Sequence, residues 1–380
     1  MPLLAFGSNG SGQLGIGHIE DVSVPTRCLF DEQEQKSSSL GDGDKSPNDV
    51  LRITAGGNHT LILFADRTVY ATGCNEDGRC GQNTSHRSLL RFRRVIIDDT
   101  STGHSYDTFK DVSATWEGTF LVPFRGADEA DAVFVLGSGA KGELGLGPGC
   151  VQTTVPKRIP DFPPPGAKIV SISSGMGHTI AVLSSGEVYG WGGARKGQLG
   201  DSAAEHKIVW TPLKINNVPF YATGATCGRE FTVVTGNQAI GEIAVLGAFG
   251  DRWNILSGIP PAGDFLMGYR GVFASWHGIY VHQRDSSVVS WGRNDRGQLP
   301  PADLPKSRRI AVGSEHALAL LGDRSVVAFG WGEHGNCGPS TDTQGNVKGE
   351  YRQIPLPGEG DAAVVEIGAG CATSWIITSR

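Results

Sequence analysis

The stretch SSGMGHTIAVLSSGEVYGWGGARKGQLG (Ser173–Gly200) contains the full repeat unit of this chain. It reads as a glycine turn, an apolar run, a polar turn, a second apolar run and a loop that ends in Gln-Leu-Gly. Two short apolar runs joined by a tight polar turn predict a β-hairpin. Each copy of this stretch is therefore expected to form a hairpin followed by a glycine-rich loop.

The loop recurs seven times. Its copies are FGSNGSGQLG from Phe6, TGCNEDGRCG from Thr72, LGSGAKGELG from Leu136, WGGARKGQLG from Trp191, LGAFGDRWNI from Leu246, WGRNDRGQLP from Trp291 and WGEHGNCGP from Trp331. Their anchor glycines are assigned to Gly7, Gly73, Gly137, Gly192, Gly247, Gly292 and Gly332. Self-similarity at periods of roughly 20–50 residues or somewhat more is typical of solenoids and propellers.

The hairpin is split between the two ends of the chain. GAGCATSWIIT (Gly368–Thr378) supplies its first half, and PLLAFG (Pro2–Gly7) supplies the missing strand. An open array would leave both halves with unpaired edges, whereas closing the ring pairs them. The sequence thus predicts an all-β, seven-bladed β-propeller, closed by pairing of its N- and C-terminal strands in one blade. It forms a single domain over residues 1–380, with a disordered surface insertion at residues 31–48.

Composition narrows the functional classes. Glycine accounts for 55 of 380 residues, in keeping with many tight turns, and the net charge of −6 argues against a non-specific nucleic-acid binder. No run approaches the length of a membrane span, and the N-terminus does not resemble a signal peptide. The seven cysteines form no C-x-x-C pair, so neither a metal site nor a cofactor is predicted, and reduced thiols favour a cytoplasmic and nuclear protein.

The candidate binding residues lie where copies depart from the repeat. They are Trp116, Glu117, Arg229, Glu230, Trp276, His277, Glu333 and His334. Turns before a strand project from one face of a propeller, so these side chains are interpreted either as anchors of a protein interface or as fillers of gaps in irregular blades.

Two sets of repeated side chains are interpreted as structural. His59, His178 and His316 share one position and are expected to hydrogen-bond a neighbouring turn inside each blade. Trp191, Trp291 and Trp331 are expected to share another position, in the core. Glu333, His334 and Cys337 could supply an acid, a base and a nucleophile, but neighbours in one turn rarely converge on a single atom. No catalytic residue is therefore assigned, and the chain is predicted not to be an enzyme.

The recurring G-x-x-x-x-G-Q-L-G followed by G-x-x-H-T/A-x-x-L resembles the repeat of the chromosome-condensation-regulator propellers. GWGEHGNCGP (Gly330–Pro339), FGSNGSGQLGIGH (Phe6–His18), GGNHT (Gly56–Thr60) and GCATSWII (Gly370–Ile377) further resemble its alpha-tubulin-suppressor, or killer-toxin-insensitivity, branch. That resemblance implies a non-catalytic adaptor in a heterodimer with a small four-cysteine zinc- or iron-binding protein. The pair would serve diphthamide synthesis on elongation factor two and, with the Elongator complex, modification of wobble uridines in transfer RNA.

The same resemblance is also compatible with a different function. Founding members of the same propeller family are guanine nucleotide exchange factors for small GTPases, and this is the alternative function. A propeller attached to a ubiquitin ligase is a third interpretation, but it requires a catalytic domain for which 380 residues of repeats leave no room.

Overall fold

The structure is a computed structural model that describes residues 3–31, 50–126, 129–260, 266–357 and 362–379. The expected insertion at residues 31–48 falls outside this part of the chain except for Asp31. Within the described ranges, the chain forms seven sheets of three or four antiparallel strands and one additional two-stranded hairpin. The predicted all-β seven-bladed propeller is confirmed.

In every sheet except the one that joins the two ends of the chain, neighbouring strands are consecutive in sequence. In chain order they are β1 (Leu3–Gly7), β2 (Val22–Arg27), β3 (Val50–Ala55), β4 (His59–Phe64), β5 (Val69–Cys74), β6 (Ser88–Arg94), β7 (Ile97–Asp99), β8 (His104–Tyr106), β9 (Phe109–Ala114), β10 (Gly118–Pro123), β11 (Phe134–Ser138), β12 (Gln152–Arg158), β13 (Ile169–Ser174), β14 (His178–Leu183), β15 (Val188–Gly193), β16 (Ile208–Ile215), β17 (Gly224–Cys227), β18 (Phe231–Thr235), β19 (Ile243–Gly247), β20 (Gly271–Ala274), β21 (Gly278–His282), β22 (Val288–Gly292), β23 (Arg309–Val312), β24 (His316–Leu321), β25 (Ser325–Trp331), β26 (Asn346–Gln353), β27 (Val364–Ala369) and β28 (Thr373–Thr378). A four-residue helix, α1 (Asp201–Ala204), and a 3₁₀ turn at Gln238–Ile240 lie in connections.

We number the blades from the first complete sheet. Blade 1 is β3–β6, blade 2 is β9–β12, blade 3 is β13–β16, blade 4 is β17–β19, blade 5 is β20–β22 and blade 6 is β23–β26. Blade 7 has the order β2-β1-β28-β27, so it combines both ends of the chain. The pairing runs from Leu3 opposite Ile377 to Gly7 opposite Thr373, which confirms the predicted closure.

In the described part of the chain, blades 4 and 5 have three strands, whereas the other blades have four. In blade 5 the chain after β22 carries Pro300, Pro301 and Pro305 where blade 6 forms β26. An outer strand tolerates one proline, as Pro25 in β2 and Pro156 in β12 show, but three prolines within six residues remove too many N–H donors for a ladder along β22. It still shields the outer side of the blade, since Leu299 and Leu304 pack into the neighbouring apolar cluster.

One backbone hydrogen bond recurs in all seven blades and explains the anchor glycines. The N–H after each glycine donates, over 2.7–3.0 Å, to the carbonyl of the residue that precedes the second strand of the blade; the pairs are Ser8–Ala372, Cys74–Asn58, Ser138–Glu117, Gly193–Gly177, Ala248–Glu230, Arg293–His277 and Trp331–Glu315. The glycine brings two backbones together at positive φ, which only glycine adopts without strain.

This hydrogen bond corrects one assignment in blade 6. Gly330 lies opposite His316 as Gly73 lies opposite His59, and Gly330 has the positive φ of 109°. The anchor is therefore Gly330 and not Gly332. Trp331 consequently follows the anchor instead of preceding it, and it does not share the position of Trp191 and Trp291. Phe329 takes that buried place, and Trp331 emerges at the surface.

The core lies between adjacent blades and is built from the repeat. The position that holds Leu in the Gln-Leu-Gly motif is buried in five blades, where its occupants are Leu14, Cys80, Leu144, Leu199 and Cys337. The preceding amide folds back on its own loop, since Gln13, Gln198 and Gln298 each accept a hydrogen bond from a backbone N–H two residues earlier. The loop motif thus closes a turn and inserts one apolar side chain.

The repeated histidines join neighbouring blades. Nε2 of His59, His178 and His316 lies 2.9–3.0 Å from a hydroxyl of the next blade, which belongs to Thr119, Thr232 and Ser374 respectively. The hydroxyls of Thr232 and Ser374 donate to backbone carbonyls, so they accept from the imidazole N–H. The prediction of a structural role stands, but the partner is a strand of the next blade instead of a turn of the same blade. Burial lowers the pKa of these histidines to about 3 for His59 and about 4 for His178 and His316.

Replacing an anchor glycine is expected to destabilise the fold strongly. Gly137 has φ of 100°, and a Cβ there would collide with the carbonyl oxygen of Glu117. Gly137→Ala should therefore lower the free energy of unfolding by about 3 kcal/mol, as measured by urea denaturation. Gly149→Ala is the matched control, because a Cβ at Gly149 meets no atom within 4 Å. Equal stability of the two variants would contradict the role assigned to the anchors.

Candidate functional site

The eight predicted residues all lie at one end of the propeller. We call this end the turn face; it is formed by the turns between the first and second strands and by the loops between the third and fourth strands of the blades. Trp116, Glu117, Arg229, Glu230, Trp276 and His277 lie on the turns of blades 2, 4 and 5, and Glu333 and His334 lie on the loop between β25 and β26. The structure thus brings the set to one face, although not to one cluster.

Trp116 and Trp276 meet across the central axis. They belong to blades 2 and 5, which are not neighbours in the ring, yet their ring centroids are 5.9 Å apart. Both are half-buried, and the guanidinium of Arg229 lies over the ring of Trp276 at 5.4 Å from its centroid. These indoles neither project freely nor fill a gap within a blade. They cover the opening of the central channel.

The channel behind them has a volume of about 630 Å³. It is lined by the innermost strand of each blade, with the two tryptophans at the turn face and Arg270, Arg308 and Arg309 at the other end. Around the covered opening, the turns are joined by backbone hydrogen bonds that include Trp116 N–H to Met176 O (3.0 Å) and Trp276 N–H to Ser314 O (2.9 Å). The centre of the turn face is therefore a linked, preorganised surface.

His277 belongs to a buried charge network. Its Nδ1 lies 3.1 Å from Oε1 of Glu315, which also accepts from Arg293 at 3.0 Å, while Oε2 accepts from Gln298 at 2.7 Å. Burial opposes ionisation of Glu315, but the hydrogen bonds from His277 and Gln298 outweigh it, and the pKa of this carboxyl lies below its ordinary value. The network fixes His277 and Arg293 relative to each other, so both present a defined geometry to a partner.

Glu117 and Glu230 are more exposed and weakly held. Arg79 lies 3.6 Å from Oε1 of Glu117, but this arginine is engaged mainly with buried Asp77, at 2.6 and 2.7 Å. Lys196 Nζ lies 3.9 Å from Glu230. Because exposed ion pairs contribute little to stability, both glutamates remain available to a partner.

Glu333, His334 and Cys337 do not form a catalytic set. Oε2 of Glu333 accepts from the indole N–H of Trp331 at 3.1 Å, and Nδ1 of His334 lies 2.7 Å from Asp21 of blade 7. Cys337 is fully buried, and burial raises the pKa of its thiol. A protonated, inaccessible thiol cannot act as a nucleophile. Glu333 and His334 are surface groups, whereas Cys337 is core.

Sequence reasoning missed five residues on the turn face. Three arginines lie over tryptophan rings there: Arg252 and Arg293 over Trp253, at 4.7 and 4.8 Å from the ring centroid, and Arg296 over Trp331, at 5.5 Å. Trp253 also contacts His277, and Trp331 contacts His334. The only available signal was the excess of Arg and Trp in these loops over the Gly, Ser and Ala of other copies.

Within the described ranges, no group of three or more His, Cys, Asp or Glu side chains is placed to hold a metal ion. No described helix is long and apolar enough to cross a membrane. The turn face presents aromatic, cationic and carboxylate groups, and aromatic and Arg side chains are enriched in protein interfaces.

Comparison with known proteins agrees with the repeat pattern. The family model described as RCC1-like domain matches residues 2–376. An RCC1 repeat-containing protein of Schizosaccharomyces pombe is 31% identical, over 99% of this chain and 98% of the relative. The secretion-regulating guanine nucleotide exchange factor of Bos taurus is 26% identical over 98% of this chain and 82% of the relative. The guanine nucleotide exchange factor SRM1 of Saccharomyces cerevisiae is 25% identical over 100% of this chain and 62% of the relative.

Solved structures share the fold. Prp20p of Saccharomyces cerevisiae, described with its binding to Gsp1p and histones, has a TM-score of 0.70 at 18% identity, covering 100% of this chain and 91% of its own. Human WBSCR16 has a TM-score of 0.75 at 18% identity, covering 100% of both chains. At these identities the likeness shows the propeller architecture alone.

These relatives overturn the adaptor hypothesis. Relatives that align along nearly all of this chain are named guanine nucleotide exchange factors, a catalytic class, so the predictions of a non-catalytic adaptor and of no enzymatic activity are wrong. The predicted partners, a four-cysteine metalloprotein of the diphthamide pathway and the Elongator complex, are contradicted as well, because the same relatives are named for guanine nucleotide exchange. The coarser resemblance is upheld by the family model and by the 31% identical relative: the chain belongs to the RCC1-like domain family.

Proposed function

We propose that this chain is a guanine nucleotide exchange factor that docks a small GTPase on its turn face. The observation that carries the proposal is the alignment of nearly the whole chain with two relatives named as exchange factors. No covalent chemistry is required of such a factor. It accelerates release of GDP by binding the nucleotide-free GTPase more tightly than the loaded form.

The turn face suits this task physically. Its centre is covered by Trp116 and Trp276 and tied together by turn-to-turn hydrogen bonds, so little ordering is needed on binding. Trp, Arg and His side chains surround that centre, and Trp and Arg dominate the energetics of protein interfaces. A propeller end can supply the standard interface of about 800 Å² per partner. The eight residues that depart from the repeat are accordingly proposed as partner-binding residues.

An exchange assay tests the proposal. The purified chain is added to a panel of small GTPases loaded with a fluorescent GDP analogue, and nucleotide release is followed in excess GTP. We expect at least one GTPase to release GDP tenfold or more faster than without the chain. In Arg229→Ala/Trp276→Ala, kcat/KM should fall by about tenfold or more, because the centre of the face loses its aromatic cover.

Arg284→Ala is the matched control, since Arg284 is exposed on the turn between β21 and β22, at the opposite end of the same blade. Its exchange rate should equal that of the wild type. Acceleration of no GTPase by folded protein would refute the function. Full activity in the Arg229→Ala/Trp276→Ala variant would show that the GTPase does not bind at the centre of the turn face. Residence in both the cytoplasm and the nucleus remains part of the proposal, to be tested by imaging the tagged chain.

A further inference from the structure

The arginines over tryptophans form a feature of their own. In the part of the chain that the structure describes, every Arg–Trp stack lies on the turn face. Outside the central pair, these residues define a band that we call the Arg–Trp strip: Arg252, Trp253, Arg293, Arg296 and Trp331. The strip crosses the loops of blades 4, 5 and 6.

The strip is continuous because each loop reaches the next blade. Trp253 of the blade 4 loop contacts His277 and Arg293 of blade 5, with the guanidinium of Arg293 4.8 Å from its ring centroid. Arg296 of the blade 5 loop lies over Trp331 of blade 6. The same pairing thus bridges two successive blade junctions and holds the guanidiniums in place.

The charges of the strip are only partly balanced. Arg293 is held by Asp295 at 2.6 Å and by Glu315 at 3.0 Å. Arg252 and Arg296 are exposed, and within the described ranges neither has a carboxylate oxygen within 4.0 Å. The nearby Asp251 is occupied in its own loop, where it accepts from the N–H groups of Leu256 and Ser257.

A stacked guanidinium retains its N–H edge for an acceptor. Stacking on an indole restricts the side chain, so less conformational entropy is lost when the N–H groups bind, and the planar fork matches a carboxylate with two hydrogen bonds. Two such edges on adjacent loops therefore form a receptor for more than one carboxylate. The arrangement suits a chain segment carrying several Asp or Glu side chains.

We propose that the Arg–Trp strip binds an acidic segment of the protein partner, and the identification of that partner as a GTPase rests on the proposed function. A nucleic acid fits less well, because its bases need an aromatic face that is free for stacking. The ring of Trp253 is covered by Arg252 and Arg293 and that of Trp331 by Arg296, so neither is free to stack on a base.

The probe is a fluorescein-labelled 16-residue peptide of alternating acidic residues and glycine, read by fluorescence anisotropy with the full chain. We expect the peptide to bind the wild type and binding to weaken with added salt. In Arg252→Glu/Arg296→Glu the affinity should fall at least tenfold. In Arg252→Lys/Arg296→Lys it should fall about threefold, because the charge remains but the fork and the stack are lost. Arg284→Glu, at the opposite end of blade 5, should bind as the wild type does.

A second arm repeats the exchange assay with Arg252→Glu/Arg296→Glu, where kcat/KM should fall at least fivefold. If the wild type catalyses exchange but these substitutions change neither exchange nor peptide binding, the strip proposal fails and the proposed function survives. If no GTPase responds but peptide binding is lost in the variant, the strip proposal stands and the proposed function fails. Tighter binding of labelled single-stranded RNA than of the acidic peptide would overturn the strip proposal in favour of a nucleic acid.

Discussion

Lowering the pH from 7.5 to 5.0 is expected to destabilise the folded chain by about 6 kcal/mol through His59, His178 and His316. Burial holds the pKa of each below the ordinary 6.5, at about 3 for His59 and about 4 for the other two. Above pH 6.5 these histidines are neutral in both the folded and the unfolded state. Their burial then does not lower the free energy of unfolding. Between pH 6.5 and about 4, the unfolded chain takes up protons that the folded chain cannot.

Each histidine thus lowers the free energy of unfolding by about 1.4 kcal/mol for every pH unit below 6.5, which amounts to about 2 kcal/mol at pH 5. Urea denaturation at pH 7.5 and 5.0 measures the difference. His178→Gln should be less stable at pH 7.5, since it perturbs the hydrogen bond to Thr232, but its stability should fall less steeply with acid. His104→Gln, at an exposed position in β8, serves as the control. An unchanged pH slope in His178→Gln would refute the assignment.

Removing residues 373–380 is expected to abolish cooperative folding. This deletion takes away β28, every residue of which is buried. Burial of Trp375, Ile376 and Ile377 alone contributes about 5–9 kcal/mol, comparable with the total stability of an ordinary domain. It also leaves β1 without its partner at Leu3–Gly7. We expect a broad, non-cooperative thermal transition by circular dichroism and binding of a hydrophobic dye.

A circular permutant provides the control for this deletion. It opens the chain at Gly103, between β7 and β8, where a Cβ would meet no atom within 4 Å, and joins residue 380 to residue 1 through a glycine linker. The permutant retains every strand of blade 7, so it should unfold cooperatively with a midpoint within a few degrees of the wild type. A cooperative transition in the deletion variant would show that the seven-bladed ring closes without its terminal pair.

The fold was predictable from the sequence because the repeat is local and frequent. Each copy carries its own turn glycines and apolar runs, and the split hairpin at Pro2–Gly7 and Gly368–Thr378 predicted closure without knowledge of any contact. The anchor of blade 6 was misassigned because Gly330 and Gly332 both flank Trp331, and the Trp-Gly pair imitates Trp191-Gly192. The pairing of Gly330 with His316, the positive φ of Gly330 and the hydrogen bond from Trp331 N–H to Glu315 O distinguish the two registers.

The candidate site was predictable only in part. The repeat places Trp116 and Trp276 on turns at the same end of the ring, but it cannot show that two side chains of blades 2 and 5 meet over the channel, since that contact depends on the path of each turn. Trp253 was hidden because its copy, LGAFGDRWNI, lacks the Gln-Leu-Gly ending by which the loops are aligned. The role of Glu315 could not be predicted for another reason. It directly precedes the repeat histidine His316, and the repeat pattern does not indicate that its carboxylate binds His277, Arg293 and Gln298.

Blade 7 combines strands from both ends of the chain, so it can be completed only when translation is almost finished. Gly7 pairs with Thr373, so 366 residues must be synthesised before β1 meets its partner. At about 5–20 residues per second, translation leaves the apolar strand Leu3–Gly7 waiting for about 20–70 seconds. During that time its free edge is a template for other chains on the same message. A nascent-chain chaperone that shields β1 would therefore raise the yield of active protein more than one acting on any internal blade.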